Sequence, residues 1–196
     1  MHANPGNFGK LRTGSSNTIL LLAAVVLAPE TFEVSVVYDG LATLPHFNPD
    51  LDNDAAPRSV VAFRSQLQAS DRVLISSPEY AHGVPGVLKN ALDWAVASGE
   101  LHGKPVALLN ASPRSVHAQA SLKETLAVMT ASLIPEASIT VSLRSNKVDE
   151  ASIISDAEIS RALCSALEPF GRAIDLLRAN PGNPMRSETG VSALTS

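Results

Sequence analysis

Apolar and polar positions along this chain fall into two rhythms. Short apolar runs at Val34–Tyr38, Arg72–Ser76, Pro105–Asn110 and Ser138–Leu143 are of the kind that makes buried parallel strands. Between them, apolar residues recur at helical spacing. Ser15 to Ala28 is apolar nearly all round, as befits a helix pressed between a sheet and a neighbour. Pro57 sits well as the first residue of a helix reaching about Ala69. Val87, Leu88, Ala91, Leu92 and Ala95 mark a third helix, and a fourth runs from about Ala118 to Ser132. The last keeps Ile159, Leu163, Leu167, Phe170, Ile174 and Leu177 on one face. Ser155 and Glu158 are spaced as its capping box, and Pro169 should kink it near Ser165 or Ala166. Strands alternating with helices over short connections predict an α/β domain, a parallel sheet covered on both faces. No internal repeat and no second domain is visible.

The two ends break the rhythm. Residues 1–9 carry Asn4, Pro5, Gly6 and Asn7 where an opening strand would stand, and proline cannot donate to a central ladder. After Asn180 the chain is rich in Pro, Gly and Ser without periodicity, so the domain is expected to span 1–180 and 181–196 to be a disordered tail. Lys10 and Arg12 before the apolar run Ile19 to Ala28 imitate a signal peptide. The run opens on the helix-cap cluster Ser15-Ser-Asn-Thr18, and Pro29 follows the supposed cleavage point, so the reading is a retained helix and a cytoplasmic protein. Ten apolar residues also fall short of the roughly twenty that span a bilayer.

Composition adds exclusions. The chain has 196 residues, enough for one α/β domain with a full core. The net charge is −4, which gives no support to a nucleic-acid-binding surface. Cys164 is the single cysteine, so an intrachain disulfide and a multi-cysteine metal site are both excluded; it falls in an apolar helical stripe and reads as a packed core thiol. His46, His82 and His117 fall on loops at the carboxyl edge of the strands without the paired spacing of a zinc site, and no metal site is expected.

Candidate chemistry gathers on three loops at that edge, where open α/β sheets bind ligands. Arg12-Thr-Gly-Ser-Ser-Asn-Thr18 feeds a helix amino terminus, whose unpaired N–H groups and dipole favour an anion. Ser15, Asn17, Thr18 and the guanidinium of Arg12 would add donors; read alone, the segment is also simply a helix cap. The second loop, Pro78-Glu-Tyr-Ala-His82, follows the strand ending at Ser76. The third, Asn110-Ala-Ser-Pro-Arg-Ser-Val-His-Ala118, follows the strand Pro105–Asn110. No GxxxxGK[ST] is present, so a nucleoside triphosphate cradle is unsupported.

Pro78-Glu79-Tyr80, Pro85-Gly86, Leu88-Lys89-Asn90 and Asp93-Trp94 together resemble the signature of the NADPH-dependent FMN reductase family, flavoenzymes that include quinone, azo-dye and chromate reductases. The likeness covers about residues 9–178. It implies a flavodoxin-like three-layer sandwich with a five-stranded parallel sheet in the order 2-1-3-4-5, whose first strand is atypical or degraded here. It also implies bound FMN, with NADPH or NADH as co-substrate, and hydride passed through flavin N5 to free FMN, a quinone or another small acceptor by a ping-pong mechanism. No side chain need act as acid or base. Arg12, Ser15, Asn17 and Thr18 would then hold the phosphate. Pro78, Glu79, Tyr80, Ala81 and His82 would lie along the isoalloxazine edge, and Ser112, Arg114 and His117 over its far side. Relatives usually have Asn where Ala81 stands, and Ser where Lys10 stands. His82 is either a solvent-exposed loop residue or a proton donor near the ring. Arg114 would meet the ring edge, a dinucleotide phosphate, or neither. Leu44-Pro-His-Phe-Asn-Pro-Asp50 resembles a family loop that borders the site across a subunit interface, and a homodimer or homotetramer is implied. Two alternatives stay open: an electron carrier of the flavodoxin type, or a relative that has lost its flavin.

Overall fold

The computed structural model describes residues 14–29, 34–37, 40–143, 148–179 and 191–195. Among these, six strands form one sheet: β1 (Val34–Val37), β2 (Arg72–Ser76), β3 (Pro105–Asn110), β4 (Ser132–Leu133), β5 (Ile139–Thr140) and β6 (Val191–Thr195). All their pairings are parallel, as the apolar runs predict. The helices are α1 (Ser16–Leu27), α2 (Arg58–Ala69), α3 (Gly86–Val96), α4 (Val116–Val128), α5 (Glu150–Ser155) and α6 (Ala157–Ala179).

Strand side chains alternate between two cores. Val73, Ile75, Val106 and Leu108 face one way, into a cluster with Val60, Phe63 and Leu67 of α2, Leu88, Leu92 and Trp94 of α3, and Leu122 and Leu126 of α4. Leu74, Ala107 and Leu109 face the other way, against Leu20, Leu21, Ala23 and Ala24 of α1 and Leu163, Leu167 and Phe170 of α6. The result is the three-layer α/β sandwich of a flavodoxin-like protein. The apolar girth of α1 follows from its place between the sheet and both α5 and α6.

The sheet runs β1-β6-β2-β3-β4, with β5 also on β3. The seat between β1 and β2, assigned from the sequence to a first strand from residues 1–9, is held by β6, which pairs with both neighbours. Residues 1–9 themselves lie outside the described residues. The expectation of a disordered tail over 181–196 therefore fails at 191–195. Val191-Ser-Ala-Leu-Thr195 is too short a run to stand out among its Gly- and Ser-rich surroundings, and its order comes from ladders on both sides together with Leu194, which is fully buried.

Three further expectations are corrected. The helix expected to reach Ser132 ends at Val128, because Thr130 adopts a left-handed φ of 56°. Thr130 N then donates to Ala127 O and Ala131 N to Leu126 O, closing the helix and turning the chain into β4. The expected strand Ser138–Leu143 is reduced to two residues; the outer edge of β3 is shared by β4 and β5, with a 3-10 turn at Pro135–Ala137 between them. The last helix is capped by Asp156, whose Oδ1 accepts from Glu158 N and Ile159 N, rather than by Ser155. Before it stands the unanticipated α5, with a capping box from Asp149 and Ser152 that holds the Asp149 carboxyl below its ordinary value. Cys164 is exposed, not packed: it adjoins Leu163 in sequence but is turned about 100° from the buried stripe.

At the rim opposite the loops that follow β2 and β3, Lys104 enters the core. Its Nζ donates to Leu67 O at 2.5 Å and to Ser70 O, tying off the carboxyl end of α2. Burial pushes the ammonium down to about 8, against the pull of Asp71 and Glu100.

Candidate functional site

A cleft of about 260 Å³ opens where α1 begins and β2 and β3 end. Gly14, Ser15, Ser16 and Asn17 form one wall, Pro78, Glu79 and Tyr80 the second, and Ala111, Ser112 and Ser115 the third. The structure thus brings together the three loops that the sequence singles out. Of the expected site residues, Ser15, Asn17, Pro78, Glu79, Tyr80 and Ser112 line the cleft. Thr18, Ala81, His82, Arg114 and His117 do not, and Arg12 lies outside the described residues. Gly14, Ser16, Ala111 and Ser115 line it without having been singled out; each adjoins a position that was.

The first wall is a helix amino terminus. Gly14 has φ 99°, which an L residue rarely adopts, and it turns the chain into α1. Ser15 stands at the N-cap in an extended conformation but makes no side-chain cap, so its hydroxyl is not committed to the helix. The first-turn N–H groups have no helical carbonyl ahead of them. Asn17 is buried, and its Oδ1 accepts from Ser76 Oγ (3.1 Å) and Ala111 N (3.2 Å). One amide oxygen thereby fixes α1 against the ends of β2 and β3, leaving the donors on Nδ2.

The second wall is a tight turn. Tyr80 N donates to Gly83 O (3.1 Å) and Gly83 N to Tyr80 O (2.9 Å), and Ala81 and His82 between them have φ of 48° and 59°. Two consecutive positive φ values define a type I′ turn, which favours asparagine at its first central position. An Asn at position 81 would therefore relieve the backbone, whatever it also donates. Glu79 Oε2 accepts from Ala118 N at 2.8 Å, and the ring of His82 stacks on that of His117 with centroids 4.2 Å apart. Both histidines are exposed.

The third wall is built from local bonds. Asn110 Oδ1 accepts from Ser112 N, Ser112 Oγ from Arg114 N, and Ser112 O from Ser115 N. Short polar side chains at alternate positions fold this loop back on itself. Arg114 is left exposed.

The rest of the signature does different work. Asn90 Oδ1 accepts from Phe47 N (2.7 Å), while Asn90 Nδ2 and Trp94 Nε1 both donate to Pro45 O. Phe47 meets the Trp94 ring edge-on at 5.0 Å. Arg64 donates to Trp94 O through Nε and pairs with Asp52. The loop from Leu44 to Asp52 is thus clipped to α3 by residues of the motif. No group of three or more His, Cys, Asp or Glu among the described residues is placed to hold a metal.

Residues 8–145 match the family model of the NADPH-dependent FMN reductases. An NAD(P)H-dependent FMN reductase of Pseudomonas aeruginosa is 34% identical over 149 residues, 74% of this chain and 80% of that one. A quinone reductase of Escherichia coli is 29% identical over 87% of this chain and 94% of its own length. Among solved structures, the flavoenzyme NAD(P)H:(acceptor) oxidoreductase FerB from Paracoccus denitrificans superposes with a TM-score of 0.69, at 31% identity, over 86% of this chain and 94% of that one. With the family model spanning well over half its length, the chain belongs to the NADPH-dependent FMN reductase family.

Proposed function

We propose that this FMN- and NAD(P)H-dependent reductase passes two electrons from the dinucleotide to a small acceptor such as a quinone or free FMN, the two substrates taking turns on one open side of the cleft. The observation that carries the reading is the convergence of the α1 amino terminus with the loops after β2 and β3 on a single cleft. Its donor set suits FMN. The α1 end offers first-turn N–H groups and the hydroxyls of Ser15 and Ser16, a setting for a phosphate monoester. Among the described residues the lone carboxylate in the lining, Glu79, is already engaged by Ala118 N. Toward β2 and β3 the lining is mixed: Pro78, Tyr80 and Ala111 offer flat surface for a heteroaromatic ring beside the polar groups of Glu79, Ser112 and Ser115.

FMN bound there would supply the two-electron redox chemistry that links the dinucleotide to the acceptor. Ser15, Ser16 and the α1 amino terminus would hold the phosphate; Pro78 to Tyr80 and Ser112 would position the ring. Tyr80, 59% exposed, lies at the mouth, where a flat substrate can stack beside it. Arg114 lies exposed outside the lining and suits the phosphate of an arriving dinucleotide better than the ring edge. An electron carrier would clasp its ring between aromatic side chains; among the described residues Tyr80 is the one aromatic in this lining, which supports turnover on an open face. Ping-pong kinetics follow from two substrates sharing that face. We place the reaction in the cytoplasm and in a homo-oligomer. No helix among the described residues is long and apolar enough to cross a membrane.

The test is to load the protein with FMN and add NADPH without oxygen. The yellow colour should bleach and return on adding a quinone, with parallel double-reciprocal lines in steady state. A folded protein that stays colourless after soaking in FMN, or whose bound flavin NADPH leaves yellow, would overturn the reading.

A further inference from the structure

Glu79 sits in the wall of the cleft, yet its carboxylate is bonded to the protein itself. Its Oε2 accepts the backbone N–H of Ala118, 39 residues later, at 2.8 Å. Ala118 is the third residue of α4, a position whose N–H has no helical carbonyl to bond. The residue that should cap it locally, Ser115, has φ −80° and ψ 58° and makes no side-chain cap. Glu79 therefore caps α4 from another strand's loop. A second contact joins the same two elements: the His82 ring on the turn stacks on the His117 ring at the start of α4, 4.2 Å between centroids and 24° from parallel.

We propose that Glu79 is a positioning residue that locks the turn after β2 to the first turn of α4, so that two walls of the cleft hold one fixed separation before any ligand arrives. As a statement about flavin this rests on the reading of the cleft as the FMN site; as a statement about the two walls it stands alone. The chemistry favours a lock over a ligand. An ionised carboxylate only accepts hydrogen bonds, and left bare beside a ring that gathers negative charge on reduction it would oppose that reduction. Bound to a helix amino terminus, its charge is offset by the dipole and the N–H. A bond reaching across separate elements also removes freedom that the ligand would otherwise have to remove itself.

Reach and charge can be separated. Glu79→Gln keeps the length and the carbonyl acceptor without the charge; Glu79→Asp keeps the charge but is one methylene short; Glu79→Ala has neither. The first readout is amide exchange at Ala118 in the flavin-free protein. Protection should fall about tenfold or more in the Asp and Ala variants and be retained in Gln, because one modest hydrogen bond is what shields that group. The second readout is FMN affinity by quenching of flavin fluorescence, which should follow the same order, with roughly a tenfold loss in Asp and Ala. Should the alanine protein fail to fold, the Asp and Gln pair carries the test. The proposal is overturned if Ala118 protection is the same in all variants, or if Asp matches the parent while Gln matches Ala, since charge rather than contact would then be at work. If exchange follows the expected order but the parent takes up no FMN, the lock stands and the flavin reading falls.

Discussion

Truncating Leu194 is the sharpest way to challenge the central place of β6. Leu194 is fully buried in the core with Ile75 and Leu88, on a strand paired on both sides. Leu194→Ala removes three carbons, worth about 2.4 kcal/mol at about 0.8 kcal/mol per methylene. The unfilled space raises the expected cost to about 3 kcal/mol. For a chain of this size that lowers the melting midpoint by about 6–12 °C. Val128→Ala is the control: Val128 is 71% exposed, and its truncation should change stability by less than about 0.5 kcal/mol. Ala193→Pro makes the complementary perturbation. Ala193 lies opposite Val36 and Leu74, and proline would remove a ladder donor from a strand with two neighbours. Since α1 packs on β6 and Ser76 lies opposite Thr195, FMN retention should fall along with stability. The assay is a circular-dichroism melt of each variant with and without FMN. If Leu194→Ala melts with the Val128→Ala control, β6 does not carry the seat between β1 and β2.

Ala81→Asn should raise the melting midpoint by a few degrees, about 0.5–1 kcal/mol, by relieving a left-handed residue without altering the turn; an unchanged or lower midpoint would refute the strain. Asn17→Ala should cost about 2 kcal/mol by stranding Ala111 N–H and the Ser76 hydroxyl. Asn17→Asp keeps that acceptor, so it should fold nearly as well yet release FMN, a negative charge having been set at the phosphate end; equal flavin binding by Asp and Asn would sink that placement. Lys104 has its folded value lowered to about 8 from an ordinary 10.5, so the unfolded chain holds more protons between these limits. Stability should accordingly rise with pH from about 8 to about 10, and the urea midpoint of Lys104→Met should lack that increment.

Parts of this fold are plain in the sequence and parts are not, for a physical reason. β2 and β3 are unbroken apolar runs because both faces of a parallel strand are buried, and their limits are legible to the residue. The cleft loops are legible because proline, glycine and short polar side chains cluster there, between the apolar runs. β6 is not legible, since five residues gain their order from two distant neighbours rather than from local pattern. The split edge at β4 and β5 is hidden likewise, as two-residue pairings leave no periodicity to read. Cys164 shows the limit of the helical stripe: one step along the chain from Leu163 carries a side chain from core to solvent.

The signature itself separates into positions that touch the cleft and positions that hold its surroundings. Asn90 and Trp94 face Pro45 and Phe47, so their effect on any ligand is indirect, through a loop they keep against α3. Pro78, Glu79 and Tyr80 are in the lining, and the two strained residues follow at once. Left-handed Ala81 and His82 each carry an unfavourable backbone energy of about 1–2 kcal/mol, and they persist only if the turn is held from several directions. It is: by the paired bonds of Tyr80 and Gly83, by the Glu79 carboxylate on α4, and by the His82–His117 stack. A turn held so firmly keeps the backbone of Pro78 to Tyr80 in one place. A ring placed there as proposed, against backbone groups rather than a catalytic side chain, would require that constancy, because N–H donors have no rotamers with which to adjust.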